Sequence, residues 1–283
     1  QYYDLVAKYE DNFTKDTENN KESVFEIQYS DVHKAPAGDG DFDVDPNLGL
    51  NRGQFFAPPG IGWTDGELRP WIVNEFKKEK DLSGNYDIRL KYTAFYEGMN
   101  QDFPENNRIY RYRLDGADSD IWNLQNWKGR VFFRKYGSDY YRDYDDYHNP
   151  TNVRLIRFAD VLLMYAECIA NTDNDLSKAV GLVNRVRQRV NMPELKVNHF
   201  DATQSKDAFL KRLQMERSLE LCSEGQRWAD IKRWGLVDNQ GGIDELIARD
   251  EDFRNFVIGK HNCLPIPSDD VNNNPNQQQN PNY

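Results

Sequence analysis

A mainly α-helical fold, with helix pairs of tetratricopeptide size beside an irregular, loop-rich part with short β strands, is what the sequence predicts. From Phe158 onward, apolar residues recur at the 3.6-residue spacing of an amphipathic helix. In residues 1–150 that period is weak, and Gly, Pro, Asp and aromatic residues interleave instead. A helix over residues 208–223 carries charges where its apolar stripe should run. The chain accordingly reads as one domain. Residues 1–150 form its loop- and aromatic-rich part, and residues 151–283 its helix pairs and closing segment.

Residues 2–9 read as the last turns of a helix, broken at Asn19 and Asn20. Residues 23–29 alternate as a strand, with Phe25, Ile27 and Tyr29 on one face. Residues 33–66 read as one long loop punctuated by Phe55, Phe56 and Trp63, a length that is usually functional or disordered. A helix over 67–80 follows, its Pro70 acceptable only in the first turn. Residues 87–96 read as extended, and residues 136–147, dense in Tyr and charge, as an exposed loop.

The helical part opens with Phe158, Val161, Leu162, Tyr165, Cys168 and Ile169 on one face, then a turn over Asn171–Asn174. Leu176, Ala179, Val180, Val183, Val186 and Val190 line a second helix, which stops before Pro193. The two make an αα-hairpin, with small Ala166 and Ala179 near the crossing. A single such pair needs neighbours to bury its outer face. Beyond Gly259 the chain reads as extended, ending in a loosely held Asn/Gln/Pro tail. Trp71, Trp228 and Trp234 are assigned to the core.

The charged helix is the most specific signal. Leu210, Leu213, Arg217, Leu221 and Glu224 share a face, with Glu220 at its edge. Burying an ion costs several kcal/mol unless it is paired and hydrogen-bonded. The pattern therefore predicts a structural ion-pair network of Arg217, Glu220, Glu224, Arg227 and Asp230. In it, the Arg217 fork serves Glu220 and Glu224, and Gly225 caps the helix.

Residues 216–235, with Glu216-Arg217, Glu220-Leu221, Glu224-Gly225, Arg227-Trp228, Asp230 and Arg233-Trp234-Gly235, resemble the signature of the SusD/RagB family. Residues 156–167, IRFADVLLMYAE, resemble a second family segment. Leu264-Pro265-Ile266-Pro267, with the ending Gln279-Asn280-Pro281-Asn282-Tyr283, resembles its closing segment, although Asn282 stands where Gly is usual. Residues 23–29 match more weakly. The resemblance implies a SusD-like fold, of which this chain is the C-terminal portion. It further implies an outer-membrane, cell-surface lipoprotein of Bacteroidetes that binds an oligosaccharide or glycan. Such a protein hands its ligand to a SusC-like TonB-dependent transporter, and its lipid anchor sits on an N-terminal cysteine outside this chain. It also implies no enzyme activity and no cofactor, and that the charged helix is scaffold.

Composition narrows the alternatives. A net charge of −11 argues against nucleic acid as a partner, which calls for clustered Lys and Arg. Hydrophobic residues make up only 38%, compensated in part by a 13% aromatic share. Cys168, Cys222 and Cys263 have no metal or disulfide spacing. His33, His148, His199 and His261 are scattered, and no nucleophile-elbow, zinc or phosphate-loop motif occurs. Asp115, Asp118 and Asp120 evoke a calcium loop but lack its closing Glu.

Glycan binding calls for flat aromatic faces, whose negative quadrupole attracts sugar C–H groups, beside amides or acids for the hydroxyls. The candidates are Phe56, Trp63, Tyr96, Tyr110, Trp122 and Trp127. Their polar neighbours are Asn123, Gln125, Asp65, Asp120 and Asn126. The run Trp122–Trp127 is the most suggestive, because it alternates rings with amides. A helical-repeat protein-binding adaptor, or a carbohydrate-active enzyme with a carboxylate pair, is the rival reading. An adaptor would pack its loop aromatics inward and expose an apolar helix groove.

Overall fold

The computed structural model describes residues 2–32, 48–173, 175–196 and 205–283. Residues 33–47 of the predicted loop, with His33, as well as Asn174 and His199, lie outside the described residues. The chain forms two compact units, residues 1–224 and 225–283.

In the first unit, β1 (Ser23–Ile27) is followed by α1 (Arg52–Phe56), α2 (Trp71–Lys78), α3 (Ile88–Thr93) and β2 (Ala94–Tyr96). Next come α4 (Met99–Asp102), β3 (Arg108–Ile109), β4 (Tyr112–Arg113), α5 (Ile121–Leu124) and β5 (Val131–Phe133). Then β6 (Val153–Arg157) runs directly into α6 (Phe158–Thr172), α7 (Leu176–Arg189) and α8 (Lys206–Glu220). The strands pair antiparallel as β1–β6, β2–β5 and β3–β4. The fold is thus mainly α with short strands.

The helical hairpin forms as its periodicity predicts, and α8 packs on both of its helices. Ala159, Leu162, Leu163, Ala166 and Ile169 of α6 meet Ala179, Val180, Val183 and Val186 of α7 in one apolar cluster, joined by Phe209 and Leu213 of α8. The α6 stripe is rotated from the predicted one. Tyr165 and Cys168 face outward, because small Ala159, Ala166 and Ala170 let the backbones approach on the other side. A second cluster joins α2, α3, β2, α5 and β5 around Trp127, Phe132, Phe95 and Phe76.

Several expectations are corrected. Residues 2–8 are irregular instead of the end of a helix, and two 3₁₀ turns follow at Tyr9–Asn12 and Lys15–Thr17, with Tyr9 and Phe13 entering an aromatic cluster with Tyr136. Residues 88–93 are helical, not extended, because Asp87 caps them by accepting from the Arg89 N–H at 3.0 Å. On β1, Phe25 is 54% exposed and Ile27 is exposed too, while Glu26 turns inward to Arg154. Segment 136–147 is exposed at Tyr140, Tyr141, Asp143 and Tyr144 as predicted, but Tyr136, Ser138 and Asp145 are buried. The C-terminal tail is held by side-chain hydrogen bonds. Gln279 bonds both ways to Ile266, Asn280 donates to the Leu264 carbonyl, and Tyr283 Oη donates to the Cys263 carbonyl.

The second unit contains α9 (Arg227–Arg233), α10 (Gln240–Ile247) and α11 (Ser268–Asn273). Ile231, Val237, Ile243 and Leu246 are its core, with Phe253 and Phe256 packed at the edge. Trp228, expected in the core, is 44% exposed, because Ile231 and Asp230 occupy the inward face of so short a helix.

The charged stripe of α8 and the turn after it is the hub of the first unit; the helix ends at Glu220 with Leu221 as its cap, so Glu224 lies in that turn and Gly225 does not cap the helix as predicted. Glu216 accepts from Arg89 (2.6 Å) and Arg187 (2.9 Å). Glu220 accepts from Arg89 (3.1 Å), Arg157 (3.0 Å) and Arg189. Glu224 accepts from both Nε (2.7 Å) and Nη2 (2.8 Å) of Arg157, and from Lys135 (2.8 Å). Glu22 bridges Arg157 and Arg189, and Asp87 grips Arg89. Arg217 pairs with Asp160 of α6 at 2.7 Å, so the guanidinium forks serving Glu220 and Glu224 come from elsewhere in the chain. In the second unit Asp230 accepts from Arg233 at 2.7 Å.

Among these buried groups, five carboxylates (Glu22, Asp87, Glu216, Glu220, Glu224) face five cations (Arg89, Lys135, Arg157, Arg187, Arg189), so the charge balances. Burial pushes the Glu216 carboxyl up, but Arg89 and Arg187 overcome it and hold it down at about 2. Glu220 and Glu224 are likewise lowered against burial, by Arg189 and Arg157 respectively.

Removing one partner strands the others without counter-charge, at a cost of about 3–5 kcal/mol. Glu220→Gln is expected to lower the unfolding free energy in urea by roughly that amount, whereas Asp16→Asn, in the exposed Lys15 pair, changes it by less than about 1 kcal/mol. The folded carboxyls titrate below the unfolded chain's value of 4.5, so the unfolded chain binds more protons between the two. Stability is fully present above pH 4.5 and is lost as pH falls toward 2, which a series of thermal melts across that range checks.

Candidate functional site

The loop from Leu48 to Gly66 places an exposed indole, Trp63, on the first unit. Its chain path depends on close backbone approach. A Cβ on Gly53 would fall 2.0 Å from the Asp145 carboxylate, and one on Gly62 would fall 2.6 Å from the Gln54 carbonyl. The Trp63 N–H then bonds the Gln54 carbonyl (2.8 Å), and the Asp65 N–H the Phe55 carbonyl (2.8 Å). Thr64 Oγ1 donates to the Ala57 carbonyl at 2.9 Å. This folds 63–65 back over α1.

Three rings result. Phe55 and Trp63 lie 5.0 Å apart at 81°, Trp63 and Tyr147 5.7 Å apart at 75°, and Phe55 and Tyr147 6.3 Å apart at 90°. The two T-shaped contacts fix the indole, and Trp63 stays 55% exposed. The support beneath is polar and buried. Asp145 accepts from Tyr110 Oη (2.7 Å), the Ser138 N–H (3.1 Å) and Arg142 (2.9 Å). Burial nevertheless raises its carboxyl above the usual range.

The predicted contact residues separate into two groups. Trp63 and half-buried Phe56 lie on this loop, Phe56 tilted against Phe133 at 5.1 Å with the Arg52 guanidinium 5.8 Å from its ring. Exposed Gln125 reaches the same loop beside Gly60. Asn123 is exposed but bonded to Asp120.

By contrast, Tyr96, Tyr110, Trp122 and Trp127 are core residues. Trp127 is fully buried against Trp122 (5.8 Å), Tyr112 (5.7 Å) and Phe132 (5.5 Å), so neither face is open to a sugar. Tyr96 and Tyr110 spend their hydroxyls on Asp102 and Asp145. The alternation of rings with amides in 122–127 reflects a short helix, α5, that buries Trp122 and exposes Asn123. Tyr147 and Phe55 were missed, since nothing in sequence distinguishes Tyr147 from the neighbouring tyrosines.

Asp115, Asp118 and Asp120 are engaged by Arg113, the Arg113 N–H and Asn123. No group of His, Cys, Asp or Glu that could hold a metal occurs among the described residues, and no described helix is long and apolar enough to cross a membrane.

A helical hairpin crossed by a third helix, beside aromatic-rich loops and two-stranded ribbons, is the architecture of SusD-type proteins. The SusD family pattern matches residues 21–283, and the chain belongs to that family. Among curated relatives, SusD-like protein P38 of Formosa agariphila is 37% identical over 266 residues, covering 87% of this chain and 46% of the relative. A SusD superfamily protein from Bacteroides vulgatus superposes with a TM-score of 0.76 at 25% identity, covering all of this chain and 55% of that one. Surface glycan-binding protein A from Bacteroides thetaiotaomicron, in complex with laminarihexaose, has a TM-score of 0.65 at 22% identity and shares the fold. The chain thus spans about half the length of P38 and of these two structures.

Gly53→Ala drives a methyl into a carboxylate that three donors hold in place. The variant is expected to melt lower, by about 1–3 kcal/mol of stability, in a thermal scan against wild type.

Proposed function

We propose that this chain contributes the glycan-contacting part of a cell-surface binding protein and that Trp63 is its stacking platform. The observation that carries this reading is an indole fixed by T-shaped contact with Phe55 and Tyr147 and still 55% exposed. Such a ring is oriented before ligand arrives, so little ordering entropy opposes stacking. Phe56 and Gln125 sit on or beside the same loop, and exposed Asp65 offers hydroxyl acceptors. Family membership supports the reading, as do a neighbour solved with laminarihexaose and a "Laminarin binding SusD-like protein" of TM-score 0.66. The protein binds without chemistry. In the full-length molecule it is lipid-anchored at the outer membrane and passes its oligosaccharide to a SusC-like TonB-dependent transporter.

Calorimetric titration with laminarihexaose and a panel of other oligosaccharides tests this. Trp63→Ala is expected to weaken binding by about 2 kcal/mol, roughly 30-fold, with unchanged melting. Equal affinity in wild type and Trp63→Ala would remove Trp63 from the site, and hydrolysis of the bound sugar over hours would replace a binding protein with an enzyme.

A further inference from the structure

The second unit carries an aromatic surface that the Trp63 site does not use. Trp228 and Phe256 lie 6.2 Å apart, Phe256 and Phe253 6.3 Å, Phe256 and His261 5.5 Å, and His261 and Tyr283 6.3 Å. These rings run from α9 to the last residue of the chain. Against them opens a shallow cavity of about 400 Å³, lined by Asp250, Asp252, Phe253, Asn255, Phe256 and His261. That volume suits a small organic ligand. The floor is phenyl carbon, and the rim is carboxylate, amide and imidazole.

The rim is set for hydroxyl groups. His261 is tied to Val257 twice, its backbone N–H donating to the Val257 carbonyl and its ring Nδ1 accepting from the Val257 N–H, both at 3.0 Å. With Nδ1 accepting, Nε2 is the ring nitrogen left for a ligand. The exposed Asn255 side chain makes no hydrogen bond among the described residues, leaving both amide donor and acceptor for a ligand. A flat apolar floor with mixed donors and acceptors at its edge matches a pyranose, which presents C–H groups on one face and hydroxyls around its rim.

We propose that the Phe253–Phe256–His261 cavity is a second saccharide-binding site, holding one sugar ring of a glycan. It rests on the reading of this protein as a glycan binder but not on Trp63.

The test is calorimetric titration of the whole chain with laminarihexaose, in wild type, Trp63→Ala, His261→Ala, Asn255→Ala and the Trp63→Ala/His261→Ala pair. Trp63→Ala is expected to keep a weaker phase of one equivalent, which the double variant loses. In His261→Ala and Asn255→Ala the Trp63-dependent phase persists and the weaker phase falls at least about tenfold. Loss of all binding in Trp63→Ala, or a weaker phase unmoved in both His261→Ala and Asn255→Ala, overturns the second site. A single phase that ignores Trp63→Ala but vanishes in His261→Ala keeps the second site and overturns the first. No binding by wild type overturns both.

Discussion

The first unit depends on a buried exchange of charge centred on three carboxylates, Glu216, Glu220 and Glu224. Glu216 and Glu220 lie one turn apart at the end of α8 and Glu224 follows in the turn after it, with Arg89 bridging the first two and Arg157 the last two. The cations that answer them come from far apart in sequence: Arg89 from α3, Lys135 from the segment after β5, Arg157 from the end of β6, and Arg187 and Arg189 from the last turn of α7. A hydrophobic contact tolerates a slide of an ångström, whereas a guanidinium fork on a carboxylate does not. The network therefore fixes the register of the strand ribbon, the hairpin and the aromatic loops relative to one helix. Its size also answers the low apolar content of the chain, because groups that ordinarily stay outside are used as interior.

That rigidity reaches the candidate site through short covalent paths. Lys135 holds Glu224 and sits over Tyr9 and Phe13, and Phe13 packs edge-on to Tyr136. Tyr136 begins the segment whose Asp145 and Tyr147 support α1 and Trp63. The platform is thus a loop only by backbone shape, with glycines letting it lie against a polar, buried floor. A stacking ring on so firm a base recognises shape well and pays little in lost motion when a ligand arrives.

The helical part was largely legible in the sequence because its signals are local. The periodicity of α7, the hairpin and the charged stripe of α8 are written within single segments. The partners of the stripe were not legible, since Glu220 and Arg89 are 131 positions apart and only the folded chain brings them together. Arg217 illustrates the difficulty. Its spacing to Glu220 and Glu224 suits a pair, yet Asp160 on α6 takes it, because the α8 carboxylates already have stronger claims upon them. The aromatic bets divided for a similar reason. Trp122 and Trp127 stand among amides and charges, which reads as surface, but a four-residue helix turns both rings inward. Trp63 stands among Gly, Pro and Asp and remains outside. Ring burial in irregular segments depends on tertiary packing, which no periodicity reports.

Fluorine NMR of the chain labelled with 5-fluorotryptophan tests most directly whether an exposed Trp63, and not the buried indoles, meets the sugar. On titration with an oligosaccharide that binds, the account predicts a saturable shift of the Trp63 resonance, assigned by its loss in Trp63→Phe, while those of Trp122 and Trp127 stay in place. A Trp122 or Trp127 resonance that moves with sugar while that of Trp63 does not would contradict it.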